Sequence, residues 1–141
     1  MAPGSAKSAI PGTSKKRVLE TLSAIAAEAS VDIDAEMVLN SLISRERMGS
    51  TGIGEGIALP HGRIAGLSKP IAVAITCSPA IEFDAIDNQP VDVFFALLVP
   101  ENENQNYLKV LSSVASKLND KHVVAKLRTA QTDSALYEAL I

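Results

Sequence analysis

His61 is the residue best placed to do chemistry, because it lies between Pro60 and Gly62 at the end of the run Ser50-Thr51-Gly52-Ile53-Gly54-Glu55-Gly56-Ile57-Ala58-Leu59-Pro60-His61-Gly62. Proline fixes φ and lacks an N–H, and glycine lets the backbone approach closely, so the imidazole belongs on a loop or strand end within reach of water or a partner. With a pKa near 6.5, a neutral imidazole offers a nucleophilic ring nitrogen at neutral pH. If one ring nitrogen donates to a backbone carbonyl, the other keeps a lone pair directed outward, as a phosphoryl acceptor or general base requires. A lone histidine is more often a surface or core residue, but the exposed loop setting favours function here.

The other chemistry-bearing residues are weaker candidates. The alternating glycines are neither a Walker A loop, since no Gly-Lys-Ser/Thr follows, nor a dinucleotide fingerprint, since position 57 is Ile and no strand-to-helix order surrounds it. They could form an anion-binding nest, although composition alone favours a tight connection between a helix and a strand. Arg45-Glu46-Arg47 reads as a solvated helix end, yet a guanidinium just before the loop could grip a phosphoryl group in bidentate fashion. His122 reads as a solvated helix residue and Cys77 as a small core residue. No spacing resembles a zinc site, and Gly-x-Ser-x-Gly does not occur.

The elements that must position these residues follow from pattern. Residues 1–13 are small, contain Pro and Gly, lack periodicity, and read as a flexible lead; residues 14–141 read as one domain. Ser14 caps a helix carrying Val18, Leu22, Ile25 and Ala29, and a second helix from Asp34 turns Met37, Val38, Leu42 and Ile43 inward. Residues 70–77 read as an interior strand, 80–83 as a short strand, and 91–99 as another strong strand. A helix with Tyr107, Leu111, Val114 and Leu118 on one stripe follows, then two short helices capped by Asp120 and Thr132. The fold class is therefore α/β, a small mixed parallel and antiparallel sheet flanked by helices on both faces.

Composition excludes several functions. A net charge of −3 provides no basic footprint for nucleic acid, one cysteine excludes an internal disulfide, and no apolar run is long enough to span a bilayer. The N-terminus lacks a signal-peptide core, so a cytoplasmic location is expected, with no membrane insertion.

Ser44 to Gly54 followed by Ile57-Ala58-Leu59-Pro60-His61-Gly62 resembles the active-site block of fructose/mannitol-type enzyme IIA domains of the bacterial phosphoenolpyruvate phosphotransferase system. Ile81-Glu82-Phe83-Asp84-Ala85-Ile86-Asp87-Asn88-Gln89-Pro90-Val91-Asp92 and Phe94 to Pro100 resemble its nitrogen regulatory branch, and the likeness runs from about Ser14 to Ile141. The resemblance implies the fructose/mannitol-type IIA fold, His61 as phosphoryl acceptor at Nε2, and an HPr-like phosphocarrier of the nitrogen branch as donor. It implies that Arg45 holds the phosphoryl group, with Ser50, Thr51 and the backbone at Gly62 in support, and that no metal or other cofactor is required. It also implies regulatory target proteins, such as kinases or potassium transport components. Tyr107 best matches the place where many relatives carry a second histidine; its hydroxyl could donate to the phosphoryl group without the imidazole's charge. The lead is shorter than in relatives that begin with an extra strand, which reads as a truncated N-terminus. Two alternatives stay open: a sugar-transport IIA passing phosphate to a separate IIB, and a module whose glycine loop binds a small anion.

Overall fold

The computed structural model describes residues 6–11, 14–101 and 105–140. Its elements run β1 (Ala6–Ile10), α1 (Lys15–Glu28), α2 (Ala35–Arg47), β2 (Gly52–Gly54), β3 (Ile57–Ala58), β4 (His61–Ile64), β5 (Ile71–Ile81), β6 (Val91–Pro100), α3 (Gln105–Leu118), α4 (Lys121–Thr129) and α5 (Asp133–Leu140). Helix starts sit where short polar side chains can take an orphan amide of the first turn. Ser14 accepts from Arg17 N–H, Asp34 from Met37 N–H, and Thr132 from Ala135 N–H.

All six strands form one mixed sheet in the order β1-β5-β6-β3-β2, with β4 also paired to β6. The long β5 and β6 are antiparallel neighbours, with Val73 opposite Ala96 and Ile75 opposite Phe94; β1 runs parallel to β5. Side chains alternate across the sheet. Val73, Ile75, Phe94, Ala96 and Leu98 pack under Val18, Leu22, Ala26, Val38 and Leu42 from α1 and α2. On the opposite face Ala74 and Val93 pack against Leu118, Val124, Leu127 and Leu136 from α3, α4 and α5. Helices therefore cover both faces, which explains why β5 and β6 read as nearly continuous apolar runs. Met37, expected to point inward, is 37% exposed, because Val38 and Leu42 already fill the buried side of α2.

Three expectations require correction. The segment read as a flexible lead contains β1, whose Ala6 is fully buried. Its weak pattern conceals long-range partners: Ser8 N–H donates to Asp133 Oδ1 at 2.7 Å, Ser8 Oγ donates to the Ala130 carbonyl at 2.6 Å, and Lys7 pairs with Asp133 at 3.6 Å. Nor is the glycine run a plain connection. It folds into the β2–β3 hairpin, with Gly52 opposite Ala58 and Gly54 opposite Ile57. The separate strand expected at 80–83 is instead the end of β5, which reaches Ile81 opposite Val91.

The β1 anchor can be tested directly. Ser8→Ala should lower the unfolding free energy in urea by about 1 kcal/mol, the usual net worth of one such hydrogen bond; no change would mean that the Ser8 hydroxyl adds nothing to the anchor.

Candidate functional site

The site begins with a break in a ladder. β3 and β4 both run parallel to β6, Ile57 and Ala58 against Val93 and Phe94, and His61 to Ile64 against Leu97 to Pro100. Between them the chain steps aside at Leu59-Pro60. Leu59 N–H donates to the Thr51 carbonyl, and the Pro60 carbonyl accepts from Leu97 N–H, each at 2.9 Å. The Leu59 carbonyl lies 2.8 Å from His61 Nδ1. Pro60 has no N–H to compete for a place in the ladder, so the sequence favours the break where it occurs.

Helix α2 brings the other half of the site. Ser41 and Arg45 lie one turn apart and so share a face. A Cβ on Gly62 would fall 2.2 Å from Ser41 Oγ, so glycine allows β4 to press against α2. Ser41 Oγ donates to the Arg63 carbonyl at 3.2 Å across the same contact. One turn further along, Arg45 Nε donates to His61 Nε2 at 3.1 Å and Nη1 donates to the Gly49 carbonyl at 2.8 Å.

These partners dictate the state of the ring. A carbonyl can only accept and a guanidinium can only donate, so the imidazole is neutral with its proton on Nδ1 and its lone pair on Nε2. A protonated ring would set two N–H groups against each other at Nε2. His61 is half-buried and its pKa lies below the ordinary value of 6.5. Desolvation is the largest cause, and the Arg45 charge adds to it; the Leu59 hydrogen bond and the Glu46 carboxylate pull the other way.

The expected supporting hydroxyls are hydrogen-bonded to other groups. Ser50 Oγ donates to the Phe83 carbonyl at 3.0 Å and accepts from Gly52 N–H at 3.0 Å. Thr51, only 4% exposed, donates its hydroxyl to Glu46 Oε1, which also accepts from Thr51 N–H at 2.9 Å. Both residues thus fix the turn from Gly49 to Gly52 that carries Arg45's anchor carbonyl. Tyr107 belongs to α3, but its side chain lies outside the described residues. His122 is exposed on α4. Cys77 is buried and its thiol pKa is pushed up to about 11, chiefly by burial and then by the Asp92 carboxylate.

Sequence reasoning missed two groups. Glu46, placed in a solvated helix end, has a side chain only 5% exposed. Arg128 braces the hairpin from the far side: it pairs with Asp92 at 3.1 Å and donates to the Glu55 carbonyl at the hairpin tip. Asp87 Oδ2 holds the same tip through Glu55 N–H at 2.9 Å. Among the described residues, no group of three or more His, Cys, Asp or Glu side chains is placed to hold a metal ion, and no helix is long and apolar enough to cross a membrane.

Two measurements test this geometry. Gly62→Ala should cost about 1–3 kcal/mol of stability through overpacking, with part recovered when Ser41→Gly is added to the same chain. In an NMR titration the His61 ring should stay neutral below pH 6.5. Below about 6.5 the unfolded chain binds a proton that the folded site resists. Stability should therefore fall as pH drops from there toward the folded pKa, and His61→Gln should remove that slope. A His61 pKa at or above 6.5 would contradict the geometry.

Residues 7–141 match the family model described as phosphoenolpyruvate-dependent sugar phosphotransferase system, EIIA 2. The chain is 40% identical over 141 residues to the nitrogen regulatory protein of Pseudomonas aeruginosa, covering 100% of this chain and 92% of that one. It is 45% identical over 128 residues to the nitrogen regulatory protein of Escherichia coli K12, covering 90% and 78%. The crystal structure of nitrogen regulatory protein IIA-Ntr from Neisseria meningitidis superposes with a TM-score of 0.90 at 34% identity, covering 99% of this chain and 95% of that one. With a neutral histidine capped by an arginine at the head of a short strand, and this likeness along its length, the chain belongs to the type 2 enzyme IIA family of the phosphotransferase system, in its nitrogen regulatory branch.

Proposed function

We propose that this chain is a histidine phosphocarrier of the nitrogen-related phosphotransferase system. It accepts a phosphoryl group on Nε2 of His61 from an HPr-like carrier protein, and its phosphorylation state regulates target proteins. The observation that carries this reading is the pair of hydrogen bonds holding the proton on Nδ1 and the lone pair on Nε2. In the transfer, that lone pair attacks phosphorus while the donor's N–P bond breaks and its electron pair returns to the donor ring. The Nδ1 proton stays in place, and the Leu59 carbonyl supports the positive charge that the ring acquires.

Arg45 has two successive tasks. In the resting site its Nε–H occupies Nε2; as the donor approaches, the guanidinium moves from nitrogen to phosphoryl oxygens, anchored meanwhile at the Gly49 carbonyl. The incoming group brings about −1.5 to −2 charges, so donors already in place matter more than covalent chemistry. Backbone amides near Gly62 and the Tyr107 hydroxyl complete the oxygen ligands in this proposal. Ser50 and Thr51 contribute by shaping the turn. The added charge at His61 alters which proteins can dock around it, and this is the regulatory signal to kinases or potassium transport components in the cytoplasm.

Intact mass after incubation with phosphoenolpyruvate, enzyme I and an HPr-like carrier tests the proposal. One acid-labile phosphate should appear on the wild type and none on His61→Ala. Arg45→Met should slow transfer by about 10²–10³-fold, the usual loss for one preorganised donor. No phosphate on the wild type, with a control IIA phosphorylated in the same tube, would sink it. Onward transfer to a fructose- or mannitol-type IIB at a physiological rate would reassign the chain to sugar transport.

A further inference from the structure

Glu46 occupies a position that is costly for a side chain that merely fills space. It lies in the last turn of α2, where the helix dipole disfavours a negative charge, and its side chain is only 5% exposed. Its polar contacts join the turn beside the phosphoryl site to Lys15 of α1. Oε1 accepts from both the amide and the hydroxyl of Thr51, and Oε2 faces Lys15 Nζ at 2.9 Å. Lys15 also lies 4.7 Å over the Phe83 ring, and the carbonyl of Phe83 accepts the Ser50 hydroxyl. These contacts close on themselves: Lys15 to Glu46, Glu46 to Thr51, Ser50 to Phe83, and Phe83 back to Lys15. Enclosed within them is the turn whose Gly49 carbonyl anchors Arg45.

We propose that Glu46 is a positioning residue of the phosphoryl site: its carboxylate, backed by Lys15, holds the turn from Gly49 to Gly52 where Arg45 can span from the Gly49 carbonyl to His61 Nε2. Glu46 touches neither the ring nor the incoming group. Without it, the amide and the hydroxyl of Thr51 both lose their acceptor and the Gly49 carbonyl is free to move. Arg45 then keeps its charge but loses its aim. An offset of about 1 Å in a group that must meet a transferring phosphoryl lowers the rate by on the order of a hundredfold. The effect on transfer rests on the function proposed above; the effect on the resting ring does not.

The experiment compares Glu46→Leu, Glu46→Gln and Thr51→Val in the full chain, with two readouts. The first is the ¹⁵N shift pair of the His61 ring, which reports how firmly the proton stays on Nδ1. The second is single-turnover phosphoryl transfer from the HPr-like carrier across a range of donor concentrations. Glu46→Leu should mix the two ring tautomers and lower the maximal rate by about tenfold to a hundredfold. The donor concentration at half-maximal rate should stay unchanged, because a buried carboxylate offers nothing to a docking partner. Glu46→Gln keeps an oxygen for Thr51 and should recover most of both losses. Thr51→Val removes one of the two bonds and should fall between them. A folded Glu46→Leu protein with a wild-type ring spectrum and maximal rate would overturn the proposal. If Glu46→Leu does not fold, wild-type values in Thr51→Val would overturn it equally. If no protein in the set, wild type included, accepts phosphate, the proposed function fails, and the ring spectrum alone decides the role of Glu46.

Discussion

The site depends on how closely α2 approaches β4. At Gly62 the strand presents no side chain, and Ser41 of the helix fills the space a Cβ would need. That contact sets the depth at which the rest of α2 lies, and Arg45, one turn along, inherits it. A bulkier residue at position 62 would lift the helix, and the 3.1 Å bond from Arg45 to His61 would lengthen with it. The large apolar core holds the layers together, but this single close approach sets the distance on which the chemistry rests.

Holding a cation beside a basic ring nitrogen gives the resting site a defined electrostatic character. Arg45 and partial burial both disfavour the protonated imidazole, while Glu46 and the Leu59 carbonyl limit how far that goes. The ring is thus kept neutral without being walled off: it remains half-buried at the head of β4. A group arriving with negative charge meets a guanidinium already held beside the ring nitrogen it must reach. Most of the reorganisation that water would otherwise have to perform is built into the fold.

Much of this was legible in the sequence because it rests on local rules. The caps Ser14, Asp34, Asp120 and Thr132 all begin helices, and the two long strands were visible as apolar runs. His61 stood out because Pro60 and Gly62 flank it. What was not legible depends on partners far away in the chain. β1 has little pattern of its own and is fixed by residues near α5. The hairpin from Gly52 to Ala58 hides behind alternating glycines, which carry no hydrophobic signal, and Arg128 and Asp87 brace its tip. Ser50 and Thr51 were expected to support the phosphoryl group, and the Phe83 carbonyl and Glu46 take both protons. Arg45 and Glu46 are adjacent and equally polar; only the tertiary contacts turn one toward His61 and the other toward Lys15.

The β1 anchor has a consequence for the order in which the molecule can be completed during synthesis. The Ser8 to Asp133 bond spans 125 positions, whereas Arg45 and His61 are 16 apart, Ser41 and Arg63 are 22 apart, and Ser50 and Phe83 are 33 apart. On the ribosome Arg45, Gly49 and Leu59, which hold the resting His61 ring in place, have emerged before β6 is made, while β1 must wait for α5. The contacts that hold the resting ring are local to a middle segment, whereas β1 finds its lock only when α5 has been made.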